Sequence, residues 1–247
     1  MGLRIVEVDP GERPRLRISL CMIMRDEEEH LERCLQSVEG VVDEIVIVDT
    51  GSVDRSIEIA TAHGARIIHE EWRSDFAAPR NTGIDAATGD WILVLDADVG
   101  LPSRFLDTLL AAAAAGELRL VQPAHRRHSH AAWSVTLRRP GGDWRETNFV
   151  EIGPVTAFSR EAAAELLPFP ADAGMGWGLD THWSAVAAER GWPIGVVDAA
   201  PIAHTMRPVA TGYRQQEAID EARRFLAERP YTPRGDVRTL ASHRFGG

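Results

Sequence analysis

The chain has 247 residues, 44% of them hydrophobic, enough for a substantial core in one domain. Its formal net charge is −10, with a pI of about 5.4 and no long basic run, which excludes an electrostatic footprint for nucleic acid. No run approaches the roughly 20 apolar residues of a membrane span, and the charged residues 1–17 lack a signal-peptide core, so a soluble cytoplasmic protein without a transmembrane segment is expected.

Residues 1–15 read as a loose lead-in with Pro10, Gly11 and Pro14. The nearly unbroken apolar run 18–24 predicts a strand buried on both faces, as in a parallel sheet. Arg25-Asp26-Glu27-Glu28-Glu29 then opens a predicted helix, with Leu31, Cys34, Leu35 and Val38 on one face and acids in the first turn, where the helix dipole favours them. Within that run Asp26 is the residue singled out for a functional role. Cys21 and Cys34 both lie inside apolar patterns, which predicts buried free thiols rather than a disulfide. A second buried strand, 44–49, ends at Asp49. It leads through Thr50-Gly51-Ser52-Val53-Asp54 into a helix reaching Gly64 and a short strand at 65–68. Two strand–turn–helix units before residue 70 predict a parallel sheet with right-handed crossovers. Neither turn carries Gly-x-Gly-x-x-Gly, which argues against a dinucleotide site.

Residues 76–83 open the next helix, with Pro79 in its first turn and Arg80 near an amino terminus suited to anions. Trp91-Ile92-Leu93-Val94-Leu95 follows as a third buried strand, with Asp96 and Asp98 at its carboxyl end. Ligands of open α/β sheets bind at that edge, and two hard oxygen donors there suit Mg²⁺ or Mn²⁺, which in turn hold phosphate oxygens. A helix is predicted over 102–115. Beyond residue 118 the segments shorten: strands are expected at 118–123, 132–138, 148–152 and 155–159, then a helix at 160–166. His125, His128 and His130 form a spaced cluster read as a solvated loop, with metal binding as the alternative. Gly174-Met175-Gly176-Trp177-Gly178 places Trp177 on a glycine-rich segment able to close over a ligand. Asp180 begins a helix to Arg190, in which His182 could line an acceptor site and Trp183 either that site or the core. A strand at 194–197, His204 just beyond it, and a helix at 213–228 complete the pattern, with residues 230–247 read as a flexible tail.

Four spaced segments together resemble the inverting glycosyltransferases of family 2, which have the GT-A fold: residues 18–28, residues 46–54 with Asp49-Thr50-Gly51-Ser52-Val53-Asp54, Phe76-Ala77-Ala78-Pro79-Arg80-Asn81, and Thr88-Gly89-Asp90 through Asp96-Ala97-Asp98. The resemblance implies a Rossmann-like, mostly parallel sheet flanked by helices with a smaller mixed acceptor-side lobe. The whole is a single domain divided into a nucleotide-sugar half (17–117) and an acceptor half (118–229). It implies transfer of a sugar from a nucleotide-diphosphate donor to an acceptor (saccharide, lipid, peptide or small molecule), with a divalent metal as cofactor. By position, Asp49, Arg80 and Asp96 are similar to nucleotide-sugar-binding residues, Asp98 and His204 to metal ligands, and Asp180 to the base that deprotonates the acceptor; Asp26 joins the nucleotide-sugar-binding candidates as the residue singled out of its acidic run. Trp177 and His182 are acceptor-side candidates from the reading of their own surroundings. A carboxylate at a helix start is expected to stay ionised. The departures from the family pattern are Arg25-Asp26 and Thr50, which leave the donor base open. Competing functions are a nucleotidyltransferase, disfavoured by the acids after Arg25, a phosphohydrolase using Asp96 as nucleophile, and a non-catalytic sugar-nucleotide sensor.

Overall fold

The computed structural model describes residues 16–99, 101, 105–129, 131–203 and 215–245. Among these, nine strands form one sheet. They are β1 (Ile18–Met24), β2 (Glu44–Asp49), β3 (Arg66–His69), β4 (Trp91–Leu95), β5 (Leu120–His125), β6 (Trp144–Thr147), β7 (Val155–Ser159), β8 (Ile194–Ile202) and β9 (Thr239–His243), in the spatial order β3-β2-β1-β4-β7-β5-β8-β6-β9. The helices are α1 (Leu31–Val38), α2 (Ser56–Ala62), α3 (Ala77–Ala86), α4 (Phe105–Ala115), α5 (Arg160–Leu166), α6 (Leu179–Arg190) and α7 (Gln215–Ala227).

The first four strands are parallel, in register Met24↔Asp49 between β1 and β2 and Cys21↔Val94 between β1 and β4. Their apolar runs are continuous because each face meets a different core. Leu20, Met22, Leu93 and Leu95 pack with Leu31, Leu35 and Leu109 on one side. Cys21, Ile92 and Val94 pack with Phe158, Leu179 and Trp183 on the other. β7 then enters antiparallel between β4 and β5, so the sheet becomes mixed without breaking. The predicted α/β architecture and its change of character near residue 118 are both present. The strands β5 to β9 extend the same sheet.

Four expectations change. The acidic run after β1 is not helical: α1 begins at Leu31, and the acids stitch two loops together instead. Asp26 Oδ1 accepts the Val53 N–H at 2.8 Å, the Ser56 hydroxyl accepts the Glu27 N–H at 2.8 Å, and Asp54 accepts the Glu28 N–H at 3.0 Å. Residues 132–138 form a 3-10 turn at Ser134–Thr136 rather than a strand. The carbonyls of Val135 and Leu137 that a strand would pair accept instead from the Arg145 guanidinium, at 2.8 and 3.0 Å. The strand expected at 148–152 lies earlier, as β6. It stops at Asn148, whose side chain bonds across to Asp236 O and Arg238 N. Finally, the stretch expected to be a loose tail contributes β9. That strand pairs with β6, and the His243 ring stacks on Trp144 with centroids 4.0 Å apart.

One buried ion pair secures this distal half. Arg145 is 1% exposed and donates from Nε to Asp198 Oδ2 at 2.6 Å and from Nη2 to Oδ1 at 3.1 Å, while Thr239 of β9 accepts from Nη1. Every donor of that guanidinium is therefore placed against an acceptor from β8, β9 or the 3-10 turn. Asp198→Ala strands a buried cation, and is expected to lower the unfolding free energy by about 3–5 kcal/mol in urea titration. A loss below about 1 kcal/mol would show that the pair does not organise this half.

Candidate active site

Asp49 closes β2, Asp96 and Asp98 follow β4, and both strands run parallel to β1, so these carboxylates reach the same edge of the sheet. Beside that edge opens a cleft of about 780 Å³ whose walls include Thr50, Arg80, Asp96, Asp98, Trp133, Glu151, Trp177, Asp180 and Arg234. Of the sequence-predicted residues, Arg80, Asp96, Asp98, Trp177 and Asp180 meet there. His204 lies outside the described residues.

Asp96 faces two ways. Its backbone N–H donates to Pro154 O at 3.0 Å, and its carboxylate lies 3.8 Å from Arg80 Nη2. Arg80, on the first turn of α3, is held between Phe76 and Phe169, with its guanidinium carbon 5.4 and 5.7 Å from the two ring centres. Asp98 is 7% exposed and borders the cleft two residues on. Asp49 is 3% exposed. It accepts the N–H groups of Gly51 and Ser52 at 3.2 Å and approaches His69 Nδ1 at 3.4 Å, so it lies beneath its own turn while Thr50 lines the cleft. Asp26, at φ 53°, is exposed beside this turn and is not among the cleft-lining residues.

Gly176 and Gly178, at φ 79° and 89°, bracket Trp177 in the left-handed region that glycine tolerates. A side chain at 178 would in addition press on Leu226 of α7 at 3.3 Å. This bend delivers Asp180 to the first turn of α6 and to the cleft wall. There the expectation of an ordinary ionised helix-start carboxylate is overturned: burial pushes Asp180 up to about 7. Hydrogen bonds from Thr181 N–H and the Trp133 indole oppose this rise, and the neighbouring Glu151 charge adds to it. Desolvation outweighs the helix dipole because the carboxyl is enclosed rather than exposed. His182, expected on the acceptor side, turns away. Two residues along a helix is about 200° of rotation, and its Nδ1 sits 2.8 Å from Pro230 O with its ring edge on Phe225. Trp183 is core, 1% exposed against Phe158 and Phe169.

Three wall residues were not anticipated. Glu151 carried a signal, being a charge inside the apolar Phe149-Val150-Glu151-Ile152. Trp133 lay in a stretch read as strand. Arg234 lay in the stretch read as tail, yet its guanidinium covers the Trp133 ring at 4.4 Å and donates to Ala132 O at 2.8 Å.

Asp96 and Asp98 offer hard oxygen donors one residue apart at the cleft mouth. Cations such as Mg²⁺ are commonly held by one or two carboxylates with substrate phosphates completing the shell, so this donor set fits. Among the described residues no three His, Cys, Asp or Glu side chains converge as a complete protein cage.

A sequence profile described as "Glycosyl transferase family 2" matches residues 19–167, more than half the chain. The chain belongs to glycosyl transferase family 2. Relatives include a TPR repeat-containing protein of Synechococcus elongatus, 61% identical over 82 residues (33% of this chain and 20% of that protein). An uncharacterized glycosyltransferase of Rickettsia typhi is 26% identical over 121 residues, covering 49% and 38%. The matched stretches thus span a fifth to two fifths of these curated relatives. Among solved structures, GalNAc-T7 with UDP, GalNAc and Mn²⁺ superposes with a TM-score of 0.69 at 17% identity, covering 86% of this chain and 48% of that one. The Pyrobaculum calidifontis mannosyltransferase with GDP-Man and Mn²⁺ gives 0.62 at 21%, covering 94% and 70%. These likenesses identify the fold as GT-A. The family match covers β1 to α5, and so includes both aspartates after β4 but not Asp180.

Asp180 also affects stability. Its folded value of about 7 lies above the 3.8 of an ordinary aspartate, so the folded state holds the proton more tightly, and stability falls as pH rises between those two values. Asp180→Asn is therefore expected to raise the melting temperature at pH 8, by a few kcal/mol at most in stability, and to change it little at pH 4. Equal effects at both pH values would show that burial does not perturb this carboxyl.

Proposed function

We propose that the protein transfers a sugar from a nucleotide-diphosphate donor to a nucleophile on an acceptor, with inversion and with Asp180 as general base. The observation that carries this reading is that Asp96, Asp98 and Asp180 border one cleft. The Arg80–Asp96 pair and a buried carboxyl poised near neutrality line the same cavity. Membership of the family supports the same reading. Asp98, with His204 as a further candidate, would hold a divalent cation. That cation would supply neutralising charge to the departing diphosphate. Asp96 and Arg80 would orient the nucleotide side of the donor, with Asp49 and Asp26 supporting the loops around the base and ribose.

In the transfer step the acceptor's nucleophile loses its proton to Asp180, and its electron pair forms the new bond to the anomeric carbon. The bond from that carbon to the diphosphate oxygen breaks, leaving its pair on the diphosphate. A carboxyl that titrates near 7 is well matched to this task, because it is substantially ionised at neutral pH and still holds a proton strongly. Trp177 would close the acceptor side. The two buried free thiols suit a reducing compartment such as the cytoplasm. No helix among the described residues is long and apolar enough to cross a membrane.

The test is a panel of UDP-, GDP- and dTDP-sugars with Mn²⁺ or Mg²⁺, read by thermal shift and nucleotide release. One nucleotide class is expected to stabilise the protein in a metal-dependent way, and Asp98→Ala is expected to abolish that dependence. Asp180→Asn should retain donor stabilisation while lowering turnover about 10²–10⁴-fold. Unchanged turnover removes Asp180 as the base, and equal donor binding without metal removes Asp98 as a ligand.

A further inference from the structure

The acceptor end of the cleft holds a second carboxylate, and one short segment seats both. Ala132 N–H donates to Glu151 Oε1 at 3.1 Å, the next residue's indole N–H donates to Asp180, and the Thr136 hydroxyl donates to Glu151 Oε2 at 3.2 Å. Glu151 is 8% exposed and fixed through its backbone as well: its N–H donates to Gln122 Oε1, and its carbonyl accepts the Thr156 hydroxyl at 2.8 Å. Behind it lies His125, fully buried, with neither ring nitrogen hydrogen-bonded among the described residues and with Nε2 3.4 Å from Glu151 Oε2. A buried glutamate with this many anchors is more than a surface charge that has folded inward. It costs desolvation, and it stands beside a like charge.

We propose that Glu151 is a positioning residue for Asp180, with residues 132–136 as the template that sets the two carboxylates against each other. This rests on the reading of Asp180 as the base. Through its charge Glu151 makes Asp180 hold the acceptor's proton more tightly, and so makes it a stronger base. Through their shared template the two carboxylates keep one geometry while the acceptor arrives. The segment is clamped in turn by Arg234 over Trp133 and by the Arg145 guanidinium on Val135 and Leu137, so the base site depends on β9 and its approach. The other charged groups on the cleft wall are Arg25 and Glu27 after β1, Arg80 on α3, Asp96 and Asp98 after β4, and Arg234. Of these, Arg234 touches the template, through Ala132 O and the Trp133 ring.

The experiment follows Asp180 directly, by carboxyl ¹³C NMR of the full-length protein labelled at aspartate, with its signal assigned by loss in Asp180→Asn. Glu151→Gln, whose one amide oxygen can still accept from Ala132 N–H while its NH2 can donate to the Thr136 hydroxyl oxygen, is expected to move the Asp180 midpoint to lower pH. Trp133→Phe, which removes the indole donor but keeps the ring, is expected to move it to higher pH. An unmoved midpoint in a folded Glu151→Gln protein overturns the proposal. Should that variant not fold, an unmoved midpoint in Trp133→Phe overturns it instead. These readouts need neither acceptor nor turnover, so they are separable from the base assignment. If the midpoint moves while the acidic limb of nucleotide release does not follow it, the base reading falls and the carboxylate pair stands.

Discussion

The antiparallel pairing of β4 with β7 is the contact on which the site depends. β4 carries Asp96 and Asp98 at its carboxyl end and is bound on its other edge to β1, which lies among the parallel strands of the amino-terminal half. The register Leu95↔Val155 sets the start of β7 against that end, so Asp96 N–H reaches Pro154 O and Glu151 to Pro154 become a wall of the same cleft. A one-residue slip in that ladder would exchange the faces of β7, removing Phe158 from its core and displacing the Glu151 loop. The two halves of the chain therefore meet through a strand pair rather than through a hinge between lobes.

The carboxylates of the cleft are held on different physical terms. Around Asp96, charge is held near the surface of the sheet edge: Asp96 is half-buried and Arg80 lies 3.8 Å away between two aromatic rings, while Asp98 two residues on is buried. Such a site can exchange its internal ion pair for contacts to an anionic ligand at little cost, because water still screens both groups. At Glu151 and Asp180 the carboxyls are buried, and the Glu151 charge adds to the rise at Asp180. That burial destabilises the ionised fold and at the same time raises the basicity of Asp180.

The turn that bears Trp133 is held by polar groups that do not themselves line the cleft. Arg145 and Asp198 are almost wholly excluded from solvent, and their network ties β6, β8 and β9 to the turn bearing Trp133. An apolar replacement could fill the same volume, but it could not hold the carbonyls of Val135 and Leu137 in a non-strand conformation. The pair is best understood as specifying the shape of the turn that presents Trp133 to Asp180.

What the sequence determined by itself is the amino-terminal half. Apolar runs of strand length, glycine turns and helix-spaced faces place β1 to β4 and the cores of their helices, and the Asp-x-Asp at a strand end marks an edge of the cleft, because all of these are local patterns. The exact extent of α5 and the placement of α6 were legible for the same reason. Only the tertiary structure decided the rest. Residues 132–138 carry a strand-like composition but are turned by a guanidinium arriving from Arg145. The Pro- and Gly-rich stretch after residue 230 was read as a tail, yet it pairs with β6 across about ninety residues of chain. Asp180 titrates near 7 because of what encloses it, not because of its place on a helix. Burial and long-range pairing are properties of neighbours distant in sequence, and a linear pattern does not contain them.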